Sequence, residues 1–133
     1  MSLRSLLSRP LSGGTIPPAP ITEREGVMPR YLLIGNYSPQ GAKGVLAGGG
    51  TARRSAIEKM VSDLGGRLET FDFAFGSDDV YTIAELPDAR TAAAIALAVN
   101  GSGAVSLRTV VLMTPEEVDA AGQVQPNYQP PGS

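Results

Sequence analysis

The chain has 133 residues, a net charge of −2, 42% hydrophobic residues, and no cysteine, histidine or tryptophan. That length fits one domain with a real core. The missing cysteines exclude disulfides and thiolate metal sites, and the missing histidine removes the usual haem and zinc ligand and the usual acid–base group of neutral pH. The charge balance supplies no basic face for nucleic acid, and no apolar run approaches a membrane span, so a cytoplasmic protein without cofactor or metal is expected. A carboxylate-only magnesium or calcium site is the one metal chemistry that composition leaves open.

Residues 1–27 differ from the rest. They carry prolines 10, 17, 18 and 20 and the pair Gly13-Gly14, the composition of a flexible tail. Over residues 2–9, Leu3, Leu6 and Leu7 fall on one side of two potential helical turns beside Arg4, a helix that is marginal alone. Three roles stay open: a passive extension ahead of a true start at Met28, a segment faintly like an organelle transit peptide, or a docking peptide within residues 1–20 that engages a protein partner.

The folded part is expected over residues 28–121. Residues 30–37 read as a strand, with Tyr31, Leu33, Gly35 and Tyr37 on one side and Leu32, Ile34 and Asn36 on the other. Both sides begin apolar, which marks a central strand. Ser38 caps a helix with Pro39 at its first position, but Gly41, Gly44 and the run 48–50 predict a weak or broken segment. Thr51 is expected to cap a better helix over residues 51–64, ended by Gly65-Gly66. Residues 67–75 read as a second strand, with Phe71, Phe73 and Phe75 on one face and Asp72 on the other. In the turn at 76–79, Gly76 supplies a positive φ, and Asp78 and Asp79 bond the turn backbone.

A third strand over 80–86 closes at Pro87, and Asp88 caps an alanine-rich helix over 88–99. Residues 104–113 form the fourth strand. Thr114-Pro115-Glu116-Glu117 is a capping box opening a short helix to 121, and residues 122–133 are a flexible, uncharged, proline-containing tail.

The order β-α-β-β-α-β is the ferredoxin-like pattern: an α+β fold with a four-stranded antiparallel sheet. Strands one and three are expected at its centre, parallel to each other, with two and four at the edges. Two helices cover only one face. Val110 and Leu112 of strand four fall opposite Val105, Leu107, Val111 and Met113, so apolar side chains are left for the second face. Each one kept in water forgoes about 1.5–3 kcal/mol. A two-fold homodimer, or a higher even oligomer, that pairs this face with its own copy is the simplest remedy.

Three stretches carry a resemblance: RYLLIGNYSPQGAKG, ARRSAIEKMVSDLGGRLETFDFAFGSDDVYTIAELPD and SGAVSLRTVVLMTPEE. Through them residues 28–121 resemble the GYD domain family of small bacterial proteins. Gly65-Gly66, Gly76, Asp79 and the closure Leu86-Pro87-Asp88 fall where the family has them, while Asp78 stands where the family pattern places a tyrosine. The resemblance implies a dimeric α/β barrel, within a broader superfamily that includes cofactor-free oxygenases, isomerases and haem enzymes; fold alone does not assign any of these activities.

The candidate chemistry is sparse. Gly49, Gly50, Arg53 and Arg54 in GVLAGGGTARR offer backbone amides and two cations near a helix start. The stretch lacks a P-loop's lysine–serine/threonine ending, and a plain inter-helix loop with a solvated arginine pair is the competing reading. Asp78-Asp79 offers a cation site or a base, against a plain turn. Asp72 is a candidate general base if its face is a barrel interior, with Arg108 as counter-charge and Tyr37 and Tyr81 orienting a ligand. Two functions follow: a homo-oligomeric module that binds a small ligand or a partner, or a cofactor-independent oxygenase or isomerase with a pocket in the barrel.

Overall fold

The computed structural model describes residues 28–132. The expected tail roles of residues 1–27, the docking helix among them, lie outside the described residues. The elements are β1 (Arg30–Tyr37), α1 (Pro39–Gly48), α2 (Gly50–Asp63), β2 (Arg67–Phe73), β3 (Val80–Glu85), α3 (Ala89–Gly101), β4 (Val105–Leu112) and α4 (Pro115–Ala121).

The strands form one sheet in the order β2-β3-β1-β4, with every neighbouring pair antiparallel. This is the ferredoxin-like α+β fold. β1 and β3 are central but run antiparallel, not parallel. The helical connection carries β2 back parallel to β1 with one strand's width left between them. The β2–β3 hairpin then fills that slot from the opposite direction.

Local signals act as their chemistry dictates. The Ser38 hydroxyl accepts from Gly41 N–H at 3.1 Å, and Asp88 Oδ1 accepts from Thr91 N–H at 2.8 Å. At Thr114 both halves of the capping box close, at 2.8 and 3.0 Å. Thr51 does not cap. α2 is entered through Gly49, whose φ of 89° only glycine adopts readily, and no side chain caps it. α1 is an unbroken ten-residue helix in spite of its glycines. One of them is required by packing: a Cβ on Gly41 would lie 2.1 Å from the Ala104 carbonyl oxygen.

The core lies between the sheet and the helices α2 and α3. Tyr31, Leu33, Ala84 and Leu86 meet Val61, Ala92 and Ile95 there. β2 reaches this core by a device that strict alternation conceals. Leu68 opposes Ala84 and Thr70 opposes Ile83, so Glu69 is an extra residue, a β-bulge. The bulge lets Leu68 and Phe71 face the same side and turns Glu69 toward Arg30. The expected three-phenylalanine face shortens to two, because β2 ends at Phe73 and Phe75 stands fully exposed beyond it.

Candidate functional site

Among the described residues, the core-forming helices α2 and α3 pack on one face of the sheet and leave the second face open. Cross-strand register places Thr70, Ile83, Leu32 and Val110 in one row across it, and Asp72, Tyr81, Ile34 and Arg108 in the next. The middle of the face is therefore an apolar band of Leu32, Ile34, Ile83 and Val110. Val110 is 38% exposed, while Ile34 is buried.

Ion pairs close both ends of that band. At one end Arg30 grips Glu69 through two hydrogen bonds of 3.0 and 3.2 Å, and Arg67 pairs with Glu85. The Arg30 guanidinium holds the Glu69 carboxyl below the usual carboxylate range. At the other end sits Asp78. It accepts from Asn36 Nδ2 at 2.8 Å, from the Tyr81 hydroxyl at 3.1 Å and from an Arg108 Nη at 3.2 Å.

The β2–β3 loop explains why Asp78 arrives there. Ala74 N–H donates to the Asp79 carbonyl at 2.8 Å, closing the loop. Asp79 N–H then donates to the Gly35 carbonyl at 3.0 Å, and Asp79 Oδ2 accepts from Tyr37 N–H at 2.9 Å. Asp79 thus ties the loop to the end of β1 outside the regular β1–β3 register, and with strand alternation broken there Asp78 lies on the open face beside Asn36 and Tyr81. Gly76 has no positive φ, and a side chain there would meet open space, so the expectation of a left-handed turn glycine is corrected. Six residues are long enough to turn without one.

The sequence candidates therefore separate. Tyr81 and Arg108 do meet, but on Asp78. Asp72 is exposed on one edge strand, with two strands between it and Arg108 on the opposite edge, and the counter-charge expected for it is engaged elsewhere. Tyr37 lies on the helix side of the sheet with Leu33, away from Tyr81. The role of Asp78 was hidden because its partners Asn36 and Arg108 stand 42 and 30 residues away. No group of three or more carboxylates among the described residues is placed to hold a metal ion, which leaves the cation reading of Asp78-Asp79 without further ligands of that kind.

The chemistry of the cluster follows from its hydrogen bonds. The Asn36 amide, then the Tyr81 hydroxyl and Arg108, hold the Asp78 carboxyl below the usual carboxylate range, and the same bond to Asp78 pushes the Tyr81 phenol up. A carboxylate so lowered is a weak proton acceptor at neutral pH. Its ionised form is favoured in the folded chain, so its stabilising contribution is complete above the carboxyl's unfolded pKa and is lost as pH falls through the lower folded value. Asp78→Asn is accordingly expected to be less stable than wild type near neutral pH, with the difference shrinking in acid. Urea unfolding at a series of pH values checks this, and a difference that grows on acidification would contradict it.

On the helix side, the glycine-arginine stretch divides sharply. Arg54 is exposed, whereas Arg53 turns inward, and its Nε is enclosed without a hydrogen-bond partner. An unmet buried donor costs about 1–3 kcal/mol, more for a charged group. Arg53 lines a groove of about 420 Å³ between α1, α2 and the start of β4. A cavity of about 40 Å³ lies beneath it and shares Tyr37, Arg53 and Val105 with the groove. Gly50 abuts the Phe73 ring, which packs 6.4 Å from that of Tyr37.

No helix among the described residues is long and apolar enough to cross a membrane. The profile of the GYD domain matches residues 31–121. No curated protein and no solved structure matches the chain.

Proposed function

The chain belongs to the GYD domain family, and we propose that it acts there as a homodimeric module, folded over residues 28–121, that binds a small ligand or a partner rather than carrying out catalysis. One observation carries the reading: the uncovered sheet face is an apolar band whose flanking charges neutralise one another. Arg30 with Glu69, Arg67 with Glu85 and Arg108 with Asp78 are each paired within the chain. In a two-fold interface a patch meets itself, so unpaired like charges would repel. Asp72, exposed at the β2 edge, is the charge of the central rows outside those three pairs, and the apolar band offers contact.

Its size also suits a second copy. Four strands of eight or fewer residues span roughly 19 by 26 Å, about 500 Å² of plane per copy and about 1,000 Å² for two. That lies near the lower bound of a specific interface, and side-chain relief adds to it. The oxygenase or isomerase alternative asks for a base on this face. Asp78 is tuned away from that role, and Asp72 stands at the exposed edge.

Light scattering on the full chain is expected to give a dimer at micromolar concentration. Leu32→Lys, in the centre of the band, is expected to give a monomer that still melts cooperatively. A wild-type monomer would remove the basis of the reading.

A further inference from the structure

The geometry points to a binding site for a small organic monoanion, a carboxylate with a short apolar tail, in the groove between α1 and α2, with the Arg53 guanidinium as its counter-charge. This names the ligand class for the small-ligand part of the reading above and rests on that part. It uses the helix side of the sheet, so it does not require the dimer.

A buried arginine N–H is almost always paired. Arg53 has an enclosed Nε without a partner, and no carboxylate among the described residues lies within ion-pair distance of it. Its two Nη groups are not enclosed as Nε is, and this end of the planar fork matches a carboxylate's two oxygens. The groove beside it has a volume in the range of small-molecule sites.

The walls of the groove decide what kind of anion fits. Gly44 and Gly48 of α1 and Ala52 and Ala56 of α2 present no long side chains, so a ligand can approach the backbone closely. Arg53 is the single charged residue lining it, because Arg54 points out to solvent. One partly buried cation balances a monoanion. A phosphate dianion would keep an uncompensated charge, which the low-dielectric surroundings penalise. Beneath Arg53 the small cavity is lined mainly by apolar side chains, Leu33, Ile57 and Phe71 among them, and with Val45 and Val105 of the groove they give a hydrocarbon tail an apolar floor to rest on. Tyr37 is the other polar residue that lines both the groove and the cavity.

Amide NMR titration of the full chain with sodium hexanoate tests the site, with 1-hexanol and inorganic phosphate as parallel probes. Hexanoate is expected to shift the amides of Tyr37, Gly44, Gly49 and Ala52 saturably. Hexanol and phosphate are expected to bind at least about tenfold more weakly, and Arg53→Gln to weaken hexanoate by at least about tenfold, which is about 1.4 kcal/mol. Absence of saturable shifts overturns the proposal. So does hexanol or phosphate binding as tightly as hexanoate, or shifts confined to the Leu32, Ile83 and Val110 face. Should Arg53→Gln fail to fold, the hexanoate–hexanol comparison on the wild-type chain still decides. Light scattering on the same samples reads the dimer separately, so failure of one reading is distinguishable from failure of the other.

Discussion

Leu86→Ala is expected to lower the unfolding free energy by about 2–5 kcal/mol. Leu86 is one of the two largest fully buried side chains among the described residues, the other being Val61. It follows the end of β3, and its N–H donates to the Pro29 carbonyl at 3.0 Å, pinning the strand's exit to the residue before β1. Its Cδ2 lies 3.1 Å from where a Cβ on Gly66 would sit, so it rests directly over the turn that ends α2. A cavity left there is walled by backbone on the Gly66 side and by Val61 of the same cluster, which cannot move far to fill it. Small domains hold about 5–15 kcal/mol in all, so the substitution removes a large share of the margin. Urea unfolding with an unchanged slope would establish it. Leu46→Ala, at a side chain 85% exposed, is the matched comparison and is expected to change little. A loss at Leu86 no larger than at Leu46 would show that the core is not centred where the packing places it.

Gly41→Ala is expected to cost about 1–3 kcal/mol or more, although alanine is the better helix former. The new Cβ would stand 2.1 Å from the Ala104 carbonyl oxygen and 3.0 Å from its carbon. Either α1 or the start of β4 has to move. That carbonyl also accepts from Ser38 N–H at 2.9 Å, so movement opens the bond that anchors the helix entry to the sheet. Gly44→Ala and Gly48→Ala make the contrast, since both positions face open space. Each is expected to gain up to about 1 kcal/mol from helix propensity alone. Melting temperatures of the three variants check the pattern, and a stabilising Gly41→Ala would overturn the close approach of α1 to Ala104. Gly44 and Gly48 also line the Arg53 groove. Their alanine variants should therefore trade hexanoate affinity for stability, the exchange expected where an open wall serves a ligand.

The amino-acid sequence by itself determined the order of elements and most of their ends. Ser38, Asp88 and the Thr114–Glu117 pair act through hydrogen bonds spanning three residues, and Gly65 with its φ of 87° ends α2 through its own backbone freedom. Such signals are local and survive reading one residue at a time. The alternation of β1 was legible for the same reason, and with it the surplus of apolar residues for a second sheet face. Tertiary structure decided what chemistry the chain holds. The bulge at Glu69 is invisible to a period of two and exists because Leu68 and Phe71 both gain burial on one side. Asp78, not Asp72, became the partner of Arg108 because the Asp79 tether to Gly35 and Tyr37 fixes which way its neighbour turns. Arg53 and Arg54 are adjacent and chemically identical, and only the packing of α2 against the sheet sends one inward and leaves the other in water. In each case the deciding contact joins residues far apart in the chain, where loop closure and burial set the outcome and local propensity has no vote.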